Sequence, residues 1–155
     1  MRHDIVEVDF LDPRVVALRT QMAQEMSELY GTPRHTGGAE GIAPESVIAC
    51  LLVLDGDEPV GTASLRHLGD LVEVKRMFLL PSTRGTGLAA RLLAEIEARA
   101  ASVTDRVVLH TGERQRAAIA LYERSGYEPI DVYPPYDTVP ESVCFAKRLR
   151  PAALR

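Results

Sequence analysis

The sequence predicts an α+β domain, α/β/α-like in layering, built on a mixed but mostly antiparallel sheet of about seven strands with a βαβ unit at its centre. Three observations carry this expectation. Strand-like runs follow one another closely between residues 46 and 80, with a turn cluster between the first two, which is the pattern of an antiparallel meander. At Leu88 the apolar period switches to a helical one. Short apolar runs then alternate with a second helical stretch, and strand–helix–strand calls for a parallel crossover.

In chain order, residues 4–10 alternate through Ile5, Val6, Val8 and Phe10 and predict a first strand. Asp12-Pro13 marks a helix start, because proline at the first helical position gives up an N–H that has no partner there. Val16, Leu18, Met22, Met26, Leu29 and Tyr30 carry that helix to Gly31. Residues 32–44 are rich in glycine and proline and read as a loop, either a substrate lid or a plain connector. The meander strands are Ser46–Leu54, Val60–Arg66 and Leu71–Leu80, the first two joined by Asp55-Gly56-Asp57-Glu58-Pro59. Leu88, Leu92, Leu93, Ile96 and Ala100 line one face of a helix, and Arg106–Thr111 is a buried-type strand. A further helix spans Gln115–Ser125, with Gly126 ending it. Tyr127–Val132 and Ser142–Arg148 complete the sheet across the aromatic turn Tyr133-Pro134-Pro135-Tyr136. No repeat or boundary divides the chain, so residues 1–155 read as one domain.

Composition narrows the function. A chain of 155 residues, 46% hydrophobic and 26% charged, can bury one substantial core. A net charge of -4 gives no field that draws in nucleic acid or an anionic membrane, although local arginines can still hold one anionic ligand. Met1-Arg2-His3-Asp4-Ile5 has no apolar signal core and no window approaches a membrane span, so a cytoplasmic protein is expected. Cys50 and Cys144 stand far apart in apolar runs, as buried thiols in a reducing compartment do. His3, His35, His67 and His110 share no ligand spacing, and no metal is expected.

The stretch Arg84-Gly85-Thr86-Gly87-Leu88-Ala89 lies between a strand and an amphipathic helix. Glycines there let the backbone approach a ligand, and the helix N-terminus behind them favours a phosphate or pyrophosphate. Arg84 adds a direct ion pair, and Arg91 sits in the first turns of the same helix. A tight connection without a ligand remains the alternative. A P-loop is excluded, because no Gly-Lys-Ser/Thr ending follows. Gly85, Gly87 and Ala90 fit a dinucleotide-binding fingerprint and Glu113 falls near its acidic position, but that fingerprint opens a doubly wound parallel sheet and here a meander precedes it.

Arg84, Gly87 and Ala89 match a motif of arginine or glutamine, two residues, glycine, one residue, and glycine or alanine. Downstream, Gln115, Ala118, Leu121, Tyr122, Gly126 and Tyr127 match a second motif in the expected order and spacing. Over residues 46–149 the chain resembles the GNAT superfamily of N-acetyltransferases. The resemblance implies a splayed pair of parallel strands with acetyl-CoA in the gap. The pantetheine arm would lie on the amides of Met77, Phe78 and Leu79, and the pyrophosphate on Arg84, Gly85, Thr86, Gly87, Leu88 and Ala89. Gln115 and Tyr122 would complete that site. The implied activity is transfer of an acetyl group to an amine of a small molecule or peptide, by direct attack in a ternary complex. A homodimer is implied by analogy, and a non-catalytic acyl-CoA-binding regulatory module is the alternative.

A lysine-like amine of pKa about 10.4 needs around 4.6 kcal/mol to be neutral at pH 7, so such chemistry benefits from a base. Glu73 is the candidate, because it lies four residues before Met77 where members of the superfamily place a glutamate. Even spacing puts Glu73, Lys75 and Met77 on one strand face. Pairing with Lys75, Arg76 or an arginine of a neighbouring strand is the competing reading. Tyr122 is the candidate acid for the leaving thiolate, or else an ordinary core tyrosine. His110 ends its strand as either a base or a satisfied structural histidine. On the acceptor side, Tyr133 and Tyr136 either flank the amine, with Asp137 or Glu141 attracting its charge, or pack on the sheet or at a dimer contact.

Overall fold

In the computed structural model, which describes residues 3–31 and 41–150, the alternating N-terminal run forms β1 (His3–Glu7). It stops short of the expected residue 10 because Asp9 accepts a hydrogen bond from the Leu11 N–H at 2.8 Å, turning the chain and sending Phe10 into the core. Asp12 then caps α1 (Pro13–Tyr30) by accepting from the Arg14 N–H, and Gly31 ends that helix at φ 72. Most of the expected lid or connector, residues 32–40, lies outside the described residues. The meander follows as β2 (Val47–Asp55), β3 (Glu58–Leu68) and β4 (Leu71–Leu79). Then come α2 (Leu88–Ala100), β5 (Arg106–Gly112) and α3 (Arg116–Arg124). The chain closes on β6 (Glu128–Ile130) and β7 (Ser142–Arg148). β6 is shorter than its sequence run because it is an edge strand carrying Pro129, which cannot donate to a ladder.

The seven strands order β1-β2-β3-β4-β5-β7-β6, and only the β4–β5 pair is parallel. On one face, Leu92, Leu93 and Ile96 of α2 and Leu121 of α3 pack with Leu51, Leu65, Val74 and Leu109 of the sheet. On the other, Val15 and Leu18 of α1 pack with Leu52 and Phe78. These side chains are nearly or wholly inaccessible, and full burial of each contributes about 1.5–3 kcal/mol.

One irregularity in β4 corrects the sequence reading. Lys75 pairs with Ser64 and Phe78 with Thr62, so Arg76 and Met77 together oppose Ala63. Arg76 takes φ 56, the left-handed conformation of a β-bulge. The extra residue reverses the alternation beyond it. Val72 and Val74 face α2, Glu73 and Lys75 lie on the α1 side, and past the bulge Met77 and Leu79 turn to the α2 side while Phe78 turns toward α1. Met77 therefore does not share a face with Glu73 and Lys75.

Candidate active site

β4 and β5 pair only at Glu73–Val108 and Val74–Leu109. Beyond that point they part, and a cleft of about 640 Å³ opens between them, lined by Met77, Phe78 and Leu79. The Leu80 N–H donates back to the Val60 carbonyl at 2.9 Å, so alternation turns the Leu79 N–H toward the side that β5 has left. Gly85, Gly87 and Ala89 also line it, with Gly87 preceding the first residue of α2. Gly85 and Gly87 hold φ 79 and 83, and a Cβ added at either would project into open space. Open main chain, a glycine turn with free room and the N-terminus of a thirteen-residue helix fit an elongated ligand with a diphosphate along its length, as acyl-CoA has.

The expected residues fall in different places around this cleft. Arg84 folds back, its Nε and Nη2 donating to the Leu79 carbonyl at 3.1 and 2.9 Å, and Nη2 also pairs with Glu25 of α1. Arg91 lies outside the cleft, donating to the His3 carbonyl at 2.8 Å. Thr86 donates to the Thr83 carbonyl and stiffens the loop, whereas the Leu88 side chain enters the core. Gln115 precedes α3, close to Tyr30. Tyr122 lines the cleft from α3, and among the described residues its hydroxyl has no hydrogen-bond partner. Burial pushes that hydroxyl up to about 12, so it stays protonated at physiological pH. Arg114, Arg116 and Arg124 also line the cleft, and the sequence reading passed over them although they flank and interleave the second motif.

A second cavity of about 370 Å³ adjoins the first, with Met22, Met26 and Gln115 in both walls. Gly112 lies at this junction, where a side chain would collide with the Tyr30 ring. Four cationic side chains, Arg19, Arg66, Lys75 and Arg76, line the second cavity. Its one lining carboxylate among the described residues, Glu141, pairs with Arg114 at 2.9 Å.

Glu73 lies beneath this cavity with no exposure to solvent. Its Oε1 accepts from Arg66 Nε at 2.8 Å and its Oε2 from the Tyr133 hydroxyl at 2.7 Å. The competing expectation for Glu73, pairing with an arginine of a neighbouring strand, describes this contact. Arg66 donates further to the Gly41 carbonyl and to the Tyr136 hydroxyl, which also accepts from Lys75 Nζ at 2.6 Å. Burial pulls the Lys75 ammonium down to about 8, partly opposed by Glu73 and reinforced by Arg76 and Arg66. His110 stacks on Tyr136 with centroids 3.7 Å apart, and its Nε2 lies 2.9 Å from the Ser142 hydroxyl. Burial, and then the nearby Lys75 charge, lower it to about 4, so the imidazole is neutral. Tyr136 lines the cavity, Tyr133 is tied to Glu73, and neither acidic candidate offers a free charge there: Asp137 is not among the lining residues and Glu141 is paired.

The sequence profile of the acetyltransferase (GNAT) family matches residues 17–127. An IAA acetyltransferase of Azospirillum brasilense is 38% identical over 91 residues, covering 57% of this chain and 59% of that protein. The uncharacterized N-acetyltransferase YjgM of Escherichia coli K12 is 32% identical over 118 residues, covering 69% of this chain and 59% of that protein. The matches thus span about three-fifths of these two relatives. Among solved structures, a Klebsiella pneumoniae protein described as an acyl-CoA N-acyltransferase superposes with TM-score 0.81 at 28% identity, covering 96% of this chain and 98% of that one. A PaiA N-acetyltransferase of Thermoplasma acidophilum, solved with coenzyme A, shares the fold at TM-score 0.73 and 13% identity, covering 96% of this chain and 99% of that one. Profile, sheet order and parted strands agree, and the chain belongs to the acetyltransferase (GNAT) family.

Proposed function

We propose that the protein is an acetyl-CoA-dependent N-acetyltransferase in which donor and acceptor meet where the two cavities join. The observation that carries this reading is the adjacency itself. A cleft fit for an elongated diphosphate ligand opens at Met22, Met26 and Gln115 onto a separate, smaller chamber. Acetyl-CoA, when bound, would supply a thioester carbonyl for attack by an amine nitrogen, the carbon–sulfur bond breaking as the carbon–nitrogen bond forms and the nitrogen's proton passing through solvent to the released thiolate.

The chain's own residues then divide the work. The Leu79 amide and its neighbours on β4 hold the donor's arm, and Gly85, Gly87 and the α2 N-terminus take the diphosphate. Arg84 is placed to exchange Glu25 for a phosphate, at little cost because the pair is partly exposed. Tyr122 donates a hydrogen bond to the departing sulfur. Full proton transfer from a hydroxyl at about 12 to a thiolate near 8.5–10 would be uphill by on the order of 3–5 kcal/mol, so donation rather than release suits it. Glu73, with both oxygens engaged, is assigned to holding Arg66 and Tyr133 in the chamber wall rather than to taking the amine's proton.

Thermal unfolding with and without acetyl-CoA tests the reading. A ligand at a hundred times its Kd adds about 2.7 kcal/mol, which for a domain of this size raises Tm by roughly 5–10 °C. Gly87→Glu abolishes the shift, because it forces a side chain into a left-handed turn and points a carboxylate at the diphosphate site. Released thiol in the presence of an amine then reports turnover. No shift at saturating acetyl-CoA refutes the proposal, and a shift without turnover on any amine makes the protein an acyl-CoA-binding module.

A further inference from the structure

The chamber beyond the donor cleft carries information about the acceptor that the family does not specify. Among the described residues its walls hold four cationic side chains and one carboxylate, Glu141, which pairs with Arg114. A polyamine or aminoglycoside would bring a second ammonium into this field, which like charges oppose most strongly where water is scarce. Among the cations, Arg66 is committed three ways, to Glu73, to the Gly41 carbonyl and to Tyr136. Lys75 is different. Its ammonium has three donors, one of which goes to the Tyr136 hydroxyl, and no described carboxylate stands within ion-pair distance of it. Among the described residues, the other two N–H groups of this partly buried cation, which lines the chamber, meet no anion.

We propose that the acceptor is an amino-carboxylate, whose carboxylate is bound by Lys75 while its amine points toward the junction at Gly112 and Gln115. Two unused donors match the two oxygens of a carboxylate. Met22, Met26 and Tyr30 of α1 offer an apolar wall for the rest of the molecule. Tyr136, stacked on His110 in the same wall, holds the Lys75 head, so the cation is positioned before the acceptor arrives. A chamber of about 370 Å³ suits a small acceptor of this kind. The inference rests on the acetyltransfer reading above.

The test uses the full chain, acetyl-CoA and acceptors in matched sets: phenylalanine, phenylalaninamide and phenethylamine; the corresponding methionine and alanine sets; and spermidine. The free acids are expected to exceed their amides and decarboxylated amines by at least roughly 10-fold in kcat/KM, the value of a charge-assisted hydrogen bond. Lys75→Met is expected to erase that preference through KM for the acid and to keep the thermal shift with acetyl-CoA. Lys75→Arg should restore part of the preference. The proposal falls if amides, decarboxylated amines or spermidine are used as well as the acids, if no acid is used while acetyl-CoA still raises Tm, or if Lys75→Met leaves the preference intact. Absence of any acetyl-CoA shift is a separate result, which removes the acetyltransfer reading and this inference with it.

Discussion

Lys75 shows how one side chain links the sheet's interior to stability. Its ammonium is held near 8 in the folded chain against about 10.5 when unfolded, mainly because burial penalises the charge. Between those values the unfolded chain binds more protons than the folded one, so this group's contribution to stability rises with pH across that window and is least favourable below pH 8. Denaturant titrations of the natural chain and of Lys75→Met should diverge accordingly: their stability difference stays flat below about pH 8 and moves in favour of the natural chain up to about 10.5. A difference independent of pH would mean that the ammonium is well hydrated. Tyr122 carries a kinetic prediction at the same scale. Tyr122→Phe should lower kcat by roughly 100-fold, as loss of one donor to a developing anion does, with KM for acetyl-CoA little changed. An unaltered kcat would return Tyr122 to the core packing it shares with Tyr127 and Phe145.

At the scale of elements, β4 decides what the site can be, and its decisive feature was hidden from sequence. A bulge is a mismatch between two strands, so Arg76 gives no local sign of it; only its pairing with β3 reveals that two residues oppose one. A strict two-residue period therefore placed Met77 beside Glu73, on the wrong face. Arg76→Gly and Arg76→Val both delete the guanidinium, and they differ in backbone preference at φ 56. The valine variant should be less stable than the glycine variant by about 1–2 kcal/mol in chemical unfolding. Equal stabilities would mean that the bulge relaxes away when the side chain is lost. By contrast, α2 and α3 were legible nearly to the residue, because their apolar spacing, Gly87 before one and Gly126 after the other are local signals.

For the molecule as a whole, legibility follows the same divide. The larger cleft was partly readable because Arg84, Gly87, Gln115 and Tyr122, which line it, belong to two short motifs around the βαβ unit. The smaller cavity was not, because it is assembled from α1, β3, β4, β5, the turn after β6 and the start of β7, distant segments running from Arg19 to Ser142. Thr62, Ser64 and Arg66 alternate along β3 as a solvent-facing edge would, yet they are buried. The net charge of -4 likewise concealed the four cationic side chains among the described residues of this cavity, since a total says nothing about placement. Where β4 and β5 separate, the sheet carries an edge inside itself rather than at its rim. Such an edge is sheltered from strand addition by another copy of the chain, because α1 and α3 stand on either side of the opening. It admits something thin and flexible more readily than a whole strand, so the main chain filters ligands by cross-section before any side chain reads them. Recognition of that kind is robust to exchange of side chains and vulnerable to proline, to glycine replacement and to a shift of register.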